Sequence, residues 1–282
     1  VQSFKQMRSE NIDPNPVTFA CILKTCGSVR AEEKGRQIHT DLTKKGLEGD
    51  VLTGNALIDM YAKCGLLFDA WEVLVKLVNR DTISWNTLIA GYVQKDEGKE
   101  ALGSFKQMQL EGICPNSITF ICILSACGSL GAADEGMEIH SEIGRRSLMG
   151  TQLIICTALV GMYAKCGLLV AAQEVFDKIP NRDTTLWNSL ITGYAQLGDF
   201  VNVLVVFNKM EGAGGKPDAV TFLSILNSCS HTGLVEEGLA CFEAMNKELG
   251  MCARVEHYTC ILDLLSRAGQ LEQTQEILDN MP

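Results

Sequence analysis

Apolar residues recur at helical spacing along the whole chain, in pairs of stripes separated by glycine-containing turns. Ala56, Leu57, Met60 and Tyr61 share one face of a predicted first helix, Cys64-Gly65 ends it, and Ala70, Leu74 and Leu77 repeat the pattern in a second. Glycine is the expected stop, since it takes the left-handed conformation that closes a helix without steric cost. The unit of structure is therefore a helical hairpin. A hairpin of about 33 residues cannot bury both stripes alone, so neighbours must stack into an α-solenoid. Ala101, Ala172 and Gly238 are small enough to permit close helix approach.

The stripes belong to a long internal period. The string SFKQM at Ser3 to Met7 returns at Ser104 to Met108, and Ile38-His39 returns at Ile139-His140, both 101 residues on. Tyr61 to Leu67 returns at Tyr163 to Leu169, and Trp85-Asn86 at Trp187-Asn188, both 102 residues on, while Thr-Phe at Thr18, Thr119 and Thr221 steps by 101 and then 102. One inserted residue, placed near Met149 to Gln152, accounts for the change. Each period subdivides into segments 16–50, 51–81 and 82–116, then 117–152, 153–183 and 184–218, with a third cycle at 219–254 and 255–282 and a partial segment at 1–15.

Composition agrees with one continuous stack. The 282 residues are 46% apolar, the 26 glycines are scattered, and no like-charge block or low-complexity tract divides them. The longest nearly apolar run, Leu153 to Ala164, is too short to span a membrane. The 12 cysteines form no CxxC pair and several recur at equivalent helical positions, which points to reduced, buried thiols and a reducing compartment. A net charge of -10 excludes indiscriminate gripping of phosphates by clustered Lys and Arg.

The alternating segments of 35, 31 and 35 residues, with their ThrPhe, AsnAlaLeuIle, MetTyrAlaLysCysGly and SerTrpAsn strings, resemble the pentatricopeptide repeats of the plant subclass that cycles long, short and standard motifs. The Trp, Leu-Gly and Tyr pattern of tetratricopeptide repeats is not present. On this resemblance the segments are standard (partial, 1–15), long (16–50), short (51–81), standard (82–116), long (117–152), short (153–183), standard (184–218), long (219–254) and a truncated short motif (255–282). The fold implied is all-α, a right-handed superhelix of helix-turn-helix repeats. The opening of the final segment, Val255 to Gly269, is similar to motifs that precede C-terminal extensions in organellar RNA-editing factors.

The resemblance implies a modular reader of single-stranded RNA, one nucleotide per repeat, without catalysis of its own. In the family the fifth residue of the first helix and the last residue of the motif bond the base edge, and an apolar second residue packs on its face. The pairs here are Asn55 with Asp81, Asn86 with Asn116, Thr157 with Asp183 and Asn188 with Asp218, and the packing residues are Leu52, Ile83, Ile154 and Thr185. The family's pairing rules read them as U, C, G and U, giving a target of the form U-C-N-G-Y with the final U degenerate toward C. Thr185 departs from the usual aliphatic residue. Long motifs place Ala20, Ile121 and Leu223 at the fifth position, where no side-chain hydrogen bond to a base is possible. The same resemblance implies a mitochondrion or chloroplast as the location and an editing deaminase or accessory editing protein as a partner.

Other readings compete at particular residues. Asp81, Asn116, Asp183 and Asp218 precede first helices, where each also suits an N-cap. Trp85 and Trp187 suit the core better than a base-stacking platform. His140-Ser141-Glu142 matches half of a zinc-deaminase motif, but no PCxxC follows and the equivalent His39 lacks the Glu, so a structural helix residue is expected. Cys64 and Cys166 read as turn-packing thiols, and no metal or cofactor is expected. The competing function is a protein-binding α-solenoid scaffold, whose inner face takes a helix or extended peptide.

Overall fold

The computed structural model describes residues 7, 13–146, 153–248, 250–279 and 281. Most of the partial segment 1–15, and the insertion placed at Met149 to Gln152, lie outside the described residues. The chain divides into two compact units, Val1–Leu130 and Gly131–Pro282. Among the described residues there are helices and turns but no strand.

The first unit contains α1 (Pro16–Ser28), α2 (Glu32–Lys44), α3 (Val51–Cys64), α4 (Leu67–Lys76), α5 (Thr82–Gln94), α6 (Gly98–Leu110) and α7 (Ser117–Leu130). The second contains α8 (Ala133–Arg145), α9 (Leu153–Lys165), α10 (Leu169–Asp177), α11 (Thr184–Gln196), α12 (Phe200–Gly212), α13 (Ala219–Thr232), α14 (Val235–Glu243, running into a π turn, Ala244–Glu248), α15 (Val255–Arg267) and α16 (Leu271–Asp279). First helices pack on first helices, α1 on α3 on α5 on α7 and α9 on α11 on α13 on α15. Each second helix fills the gap behind, touching its own first helix or the next: α2 meets α3, α4 meets α5, α6 meets α7, α10 meets α11, α12 meets α13 and α14 meets α15. Each unit is thus a two-layered stack of helical hairpins, an all-α solenoid architecture.

The same register position fills the same place in every hairpin. The seventh residues of the first helices, Leu57, Leu88, Leu159 and Leu190, are 0% exposed, each contributing about 2 kcal/mol of burial. At the fourth position Phe120 meets Phe105, Phe222 meets Phe207, Trp85 meets Trp71 and Trp187 meets Phe176, all edge to face with centroids 4.7 to 6.4 Å apart. These rings join the second helix of one hairpin to the first helix of the next, so Trp85 and Trp187 are core residues. Gly65, at φ 83°, closes α3 in the left-handed conformation the sequence pattern called for. Ala101 and Ala172 are fully buried, and Gly238 faces the side chain of Leu264. Cys229 and Cys241 pack into helical contacts, and burial pushes both thiols up to about 12. No helix among the described residues is long and apolar enough to cross a membrane.

Candidate nucleic-acid interface

At three of the four candidate pairs, the residue that ends a segment meets the fifth residue of the first helix before it, at the start of the next first helix. Asp81, Asp183 and Asp218 are N-caps in extended backbone, accepting from the N–H of Ser84, Leu186 and Thr221 respectively. Asn116 accepts likewise from Thr119 N–H at 3.1 Å. Capping is therefore real at all four positions, and at Asp81, Asn116 and Asp218 it fixes the polar group beside the fifth residue of the preceding first helix.

Three of the four pairs are joined directly. Asn86 Nδ2 donates to Asn116 Oδ1 at 3.0 Å, Asn188 Nδ2 to Asp218 Oδ1 at 2.9 Å, and Asn55 Nδ2 to Asp81 Oδ1 at 3.4 Å. Asn86 and Asn188 are 7% and 6% exposed, each an amide let into an otherwise apolar helix face. No hydrogen bond joins Thr157 to Asp183 among the described contacts. Thr157 instead donates its hydroxyl proton to Leu153 C=O at 3.0 Å, and so presents lone pairs.

Each cap spends one oxygen on the protein and keeps the remaining valence. Asp218 Oδ1 accepts from Val220 N–H, Thr221 N–H and Asn188 Nδ2, all within 3.0 Å, leaving Oδ2 without a described protein donor. Burial pushes the Asp218 carboxyl up, but those hydrogen bonds, Thr221 N–H and Asn188 foremost, outweigh it and hold the group below the ordinary carboxylate value. Asp81 is held down in the same way: burial raises it, and the Ser84 N–H and hydroxyl with the Asn55 amide reverse the shift. Asn116 commits Oδ1 to Thr119 N–H and Asn86, so its Nδ2 donors face no described partner.

Exposed apolar side chains flank the pairs. Leu52 and Ile83, 47% and 62% exposed, line a cleft of about 810 Å³ with Asn55, and Lys24 and Lys63 stand at its margin. In the second unit Thr185 and Val220 line a cleft of about 310 Å³ with Asn188, Asp218 and Lys165. Ile154 is 66% exposed beside Thr157. Ile118 and Val220, the second residues of long segments, are equally exposed at 58% and 50%; sequence reasoning passed over them although they stand in the register position of Leu52 and Ile83. Among the long-segment fifth residues Ala20 is buried and Ile121 and Leu223 are half-buried.

The remaining sequence candidates are structural. His140 Nδ1 lies 2.7 Å from the Tyr163 hydroxyl, as His39 Nδ1 lies 2.8 Å from that of Tyr61, so both histidines tie a second helix to the following first helix. Cys64 and Cys166 contact Met60 and Met162 one turn earlier, at 4.0 and 3.9 Å. No three His, Cys, Asp or Glu side chains among the described residues are grouped to hold a metal ion.

Models of the PPR repeat family match residues 80–129 and 182–231, and 55–81, 154–183 and 220–248, and a pentatricopeptide repeat domain model matches residues 1–29, together more than half of the chain. Among curated proteins of Arabidopsis thaliana, the pentatricopeptide repeat-containing protein At2g33680 is 39% identical over 99% of this chain and 38% of its own length. The chloroplastic protein CRR2 is 38% identical over 98% of this chain and 43% of its own, and the mitochondrial protein At2g03380 is 38% identical over 99% and 40%. The chain spans about two fifths of the length of these relatives. The solved structure of the pentatricopeptide repeat protein PPR10 in complex with an 18-nt psaJ RNA element superposes with a TM-score of 0.77 at 19% identity, over 98% of this chain and 42% of that one. The fold of stacked hairpins, the matched repeats and these relatives agree, and the chain belongs to the pentatricopeptide repeat family.

Proposed function

We propose that this chain binds single-stranded RNA sequence-specifically, with one nucleotide addressed by each of the four polar pairs, and serves as the specificity module for a separate enzyme. The observation that carries the reading is the recurring hydrogen bond between a fifth residue and a cap, made at three of the four pairs, with uncommitted hydrogen-bonding groups left over; at Asn188 and Asp218 both residues line one cleft beside the exposed Val220. A flat base can enter beside such a side chain while its edge meets the pair.

The uncommitted groups differ from pair to pair in the way a code requires. At Asn188 and Asp218 a spare amide proton stands beside a carboxylate oxygen, a donor and an acceptor, which complements the carbonyl and N3–H of uracil. Asn55 and Asp81 offer the same combination. Asn86 and Asn116 offer donors alone, which suits the N3 and O2 acceptors of cytosine. Thr157, its proton spent on Leu153, and Asp183 offer acceptors alone, which suits the N1–H and N2–H₂ of guanine. The target is then U-C-N-G-Y, with U and C taken by the first unit and G and Y by the second. The bulk acidity is no obstacle, since readout by neutral amides and capped carboxylates needs few cations and Lys24, Lys63 and Lys165 stand beside the clefts.

The cycle of long, short and standard segments, and the resemblance of Val255 to Gly269 to the end of editing-factor arrays, support a place in organellar RNA processing, C-to-U editing in particular. Chloroplastic and mitochondrial relatives support the organelle, and PPR10 in complex with RNA supports the ligand class. The experiment is a fluorescence-anisotropy titration with a short RNA carrying U-C-A-G-U in an adenosine-rich flank, against the same RNA with the G replaced. Weaker binding of the second RNA is expected. Equal binding of both, or binding of neither, defeats the base-readout reading and favours the protein scaffold.

A further inference from the structure

We propose that Thr119 and Thr221 are positioning residues for specificity: each fixes which way the amide of the preceding repeat's Asn faces, and so decides whether that Asn offers a base a proton or a lone pair. The inference rests on the base-readout reading above and deepens it, since neither threonine belongs to a reading pair.

The geometry is the same in both units. Thr119 Oγ1 lies 2.6 Å from Asn86 Oδ1, and Thr221 Oγ1 lies 2.6 Å from Asn188 Oδ1. Each hydroxyl also accepts from the backbone N–H of its own cap, Asn116 at 3.1 Å and Asp218 at 3.0 Å. A hydroxyl has one proton to give. The cap oxygens are farther off, at 3.2 and 3.1 Å, so the proton goes to the Asn carbonyl. The amide is then held at both ends: its oxygen by the threonine, its nitrogen by the cap at 3.0 or 2.9 Å. Turning it over would set its oxygen against the Asn116 carbonyl or the Asp218 carboxylate and waste the threonine proton.

The same register position shows what happens without the lock. Beside Asn55 the third residue of the next helix is Ser84, whose hydroxyl lies 2.9 Å from its own cap, Asp81 Oδ1, and is not bonded to Asn55. Asn55 Oδ1 is buried without a partner, and the Asn55 to Asp81 contact stretches to 3.4 Å. Thr119, Thr221 and Ser84 are all 0% exposed, so the difference lies in one methyl group and the hydroxyl direction it sets. At the remaining pair, Thr157 with Asp183, the position is Leu186, and the fifth residue has no amide to orient.

The test measures the preference for U over C at two repeats with the RNA described above and its single-base variants. Thr221→Val is expected to lower the preference at the Asn188 repeat about two- to tenfold, the worth of one neutral hydrogen bond, and to leave the G preference at the Thr157 repeat unchanged. Ser84→Thr, which keeps the capping hydroxyl, is expected to raise the preference at the Asn55 repeat by a similar factor. An Asn188→Ala control separates the two readings. If it abolishes the preference while Thr221→Val and Ser84→Thr change nothing, the lock is overturned and the readout stands. If it too changes nothing, both fail. Should Thr221→Val prove unfolded by circular dichroism, Ser84→Thr decides: an unaltered preference there overturns the lock.

Discussion

The Tyr163 hydroxyl and His140 Nδ1 stand 2.7 Å apart, and Tyr61 with His39 repeats the pair almost to the tenth of an ångström. Burial depresses both histidines below the ordinary imidazole value; Lys178 adds to the effect at His140, while at His39 Glu48 and Asp69 oppose it and Lys76 and Arg36 add to it. A histidine with a depressed folded value binds its proton more weakly folded than unfolded, so stability is present at high pH and lost as pH falls through about 6.5 toward the folded value. Urea unfolding monitored between neutral and mildly acidic pH is therefore expected to show declining stability. The double variant His39→Phe, His140→Phe should flatten that decline; an unchanged slope would contradict the assignment.

Close helix approach makes a second prediction. A Cβ at Gly193 would lie 2.5 Å from the Ala164 Cβ and 3.4 Å from its Cα, and one at Gly91 would lie 2.7 Å from the Ala62 Cβ. Those atoms are fixed to backbone, so α9 and α11, or α3 and α5, must separate. Gly193→Ala is expected to cost about 1–2 kcal/mol, overpacking exceeding the gain in helix propensity. Gly103→Ala, on α6 with open space around it, should instead stabilise by up to about 1 kcal/mol. Thermal melts of the two variants separate packing from propensity.

The repeat periods and apolar stripes make the hairpins legible because burial is set by side-chain type and spacing, which are linear properties of the chain. Leu57, Leu88, Leu159 and Leu190 stand in one register and are buried alike. His140 and Trp85 are readable as structural for the same reason, each having a counterpart 101 or 102 residues away. The lock on Asn86 is not readable. Thr119 stands 33 residues from it, and the Thr-Phe string serves as a ruler for the repeat without disclosing where the hydroxyl proton goes. Whether a serine does the same work depends on a rotamer, and Ser84 turns its hydroxyl to Asp81 instead. The exposure of Ile118 and Val220 at the register of Leu52 and Ile83 is hidden for a different reason: their repeats carry no polar fifth residue to draw attention to the position.

Asp218 is a cap and, on the proposed readout, also a reader, and two substitutions take the roles apart. Asp218→Asn keeps an oxygen for Val220 and Thr221 N–H, so stability should hold within about 0.5 kcal/mol while the pair becomes the Asn/Asn combination of the cytosine site. Its expected signature is a shift of preference from U toward C at that repeat. Asp218→Ala loses the cap as well, at about 1 kcal/mol. Because the carboxyl is held below its ordinary value, that loss is full above about pH 4 and fades as pH falls through the depressed value. Paired urea titrations and RNA binding curves check both halves.

Asp183 gives the sharpest trial of the pair assignments, because Thr157 and Asp183 present acceptors only. Guanine satisfies two acceptors with N1–H and N2–H₂, whereas adenine offers a donor at N6 and an acceptor at N1. Asp183→Asn keeps the capping oxygen for Leu186 N–H and turns the outward group into a donor, leaving Thr157 as acceptor. The pair then complements adenine. Binding of the U-C-A-G-U core should weaken and that of U-C-A-A-U strengthen, moving the ratio by roughly tenfold or more, since a lost partner leaves a buried polar group unpaired as well. Anisotropy titrations of the wild type and variant against both RNAs, with far-UV circular dichroism to confirm the fold, measure the ratio directly. An unmoved ratio would remove Thr157 and Asp183 from the reading set.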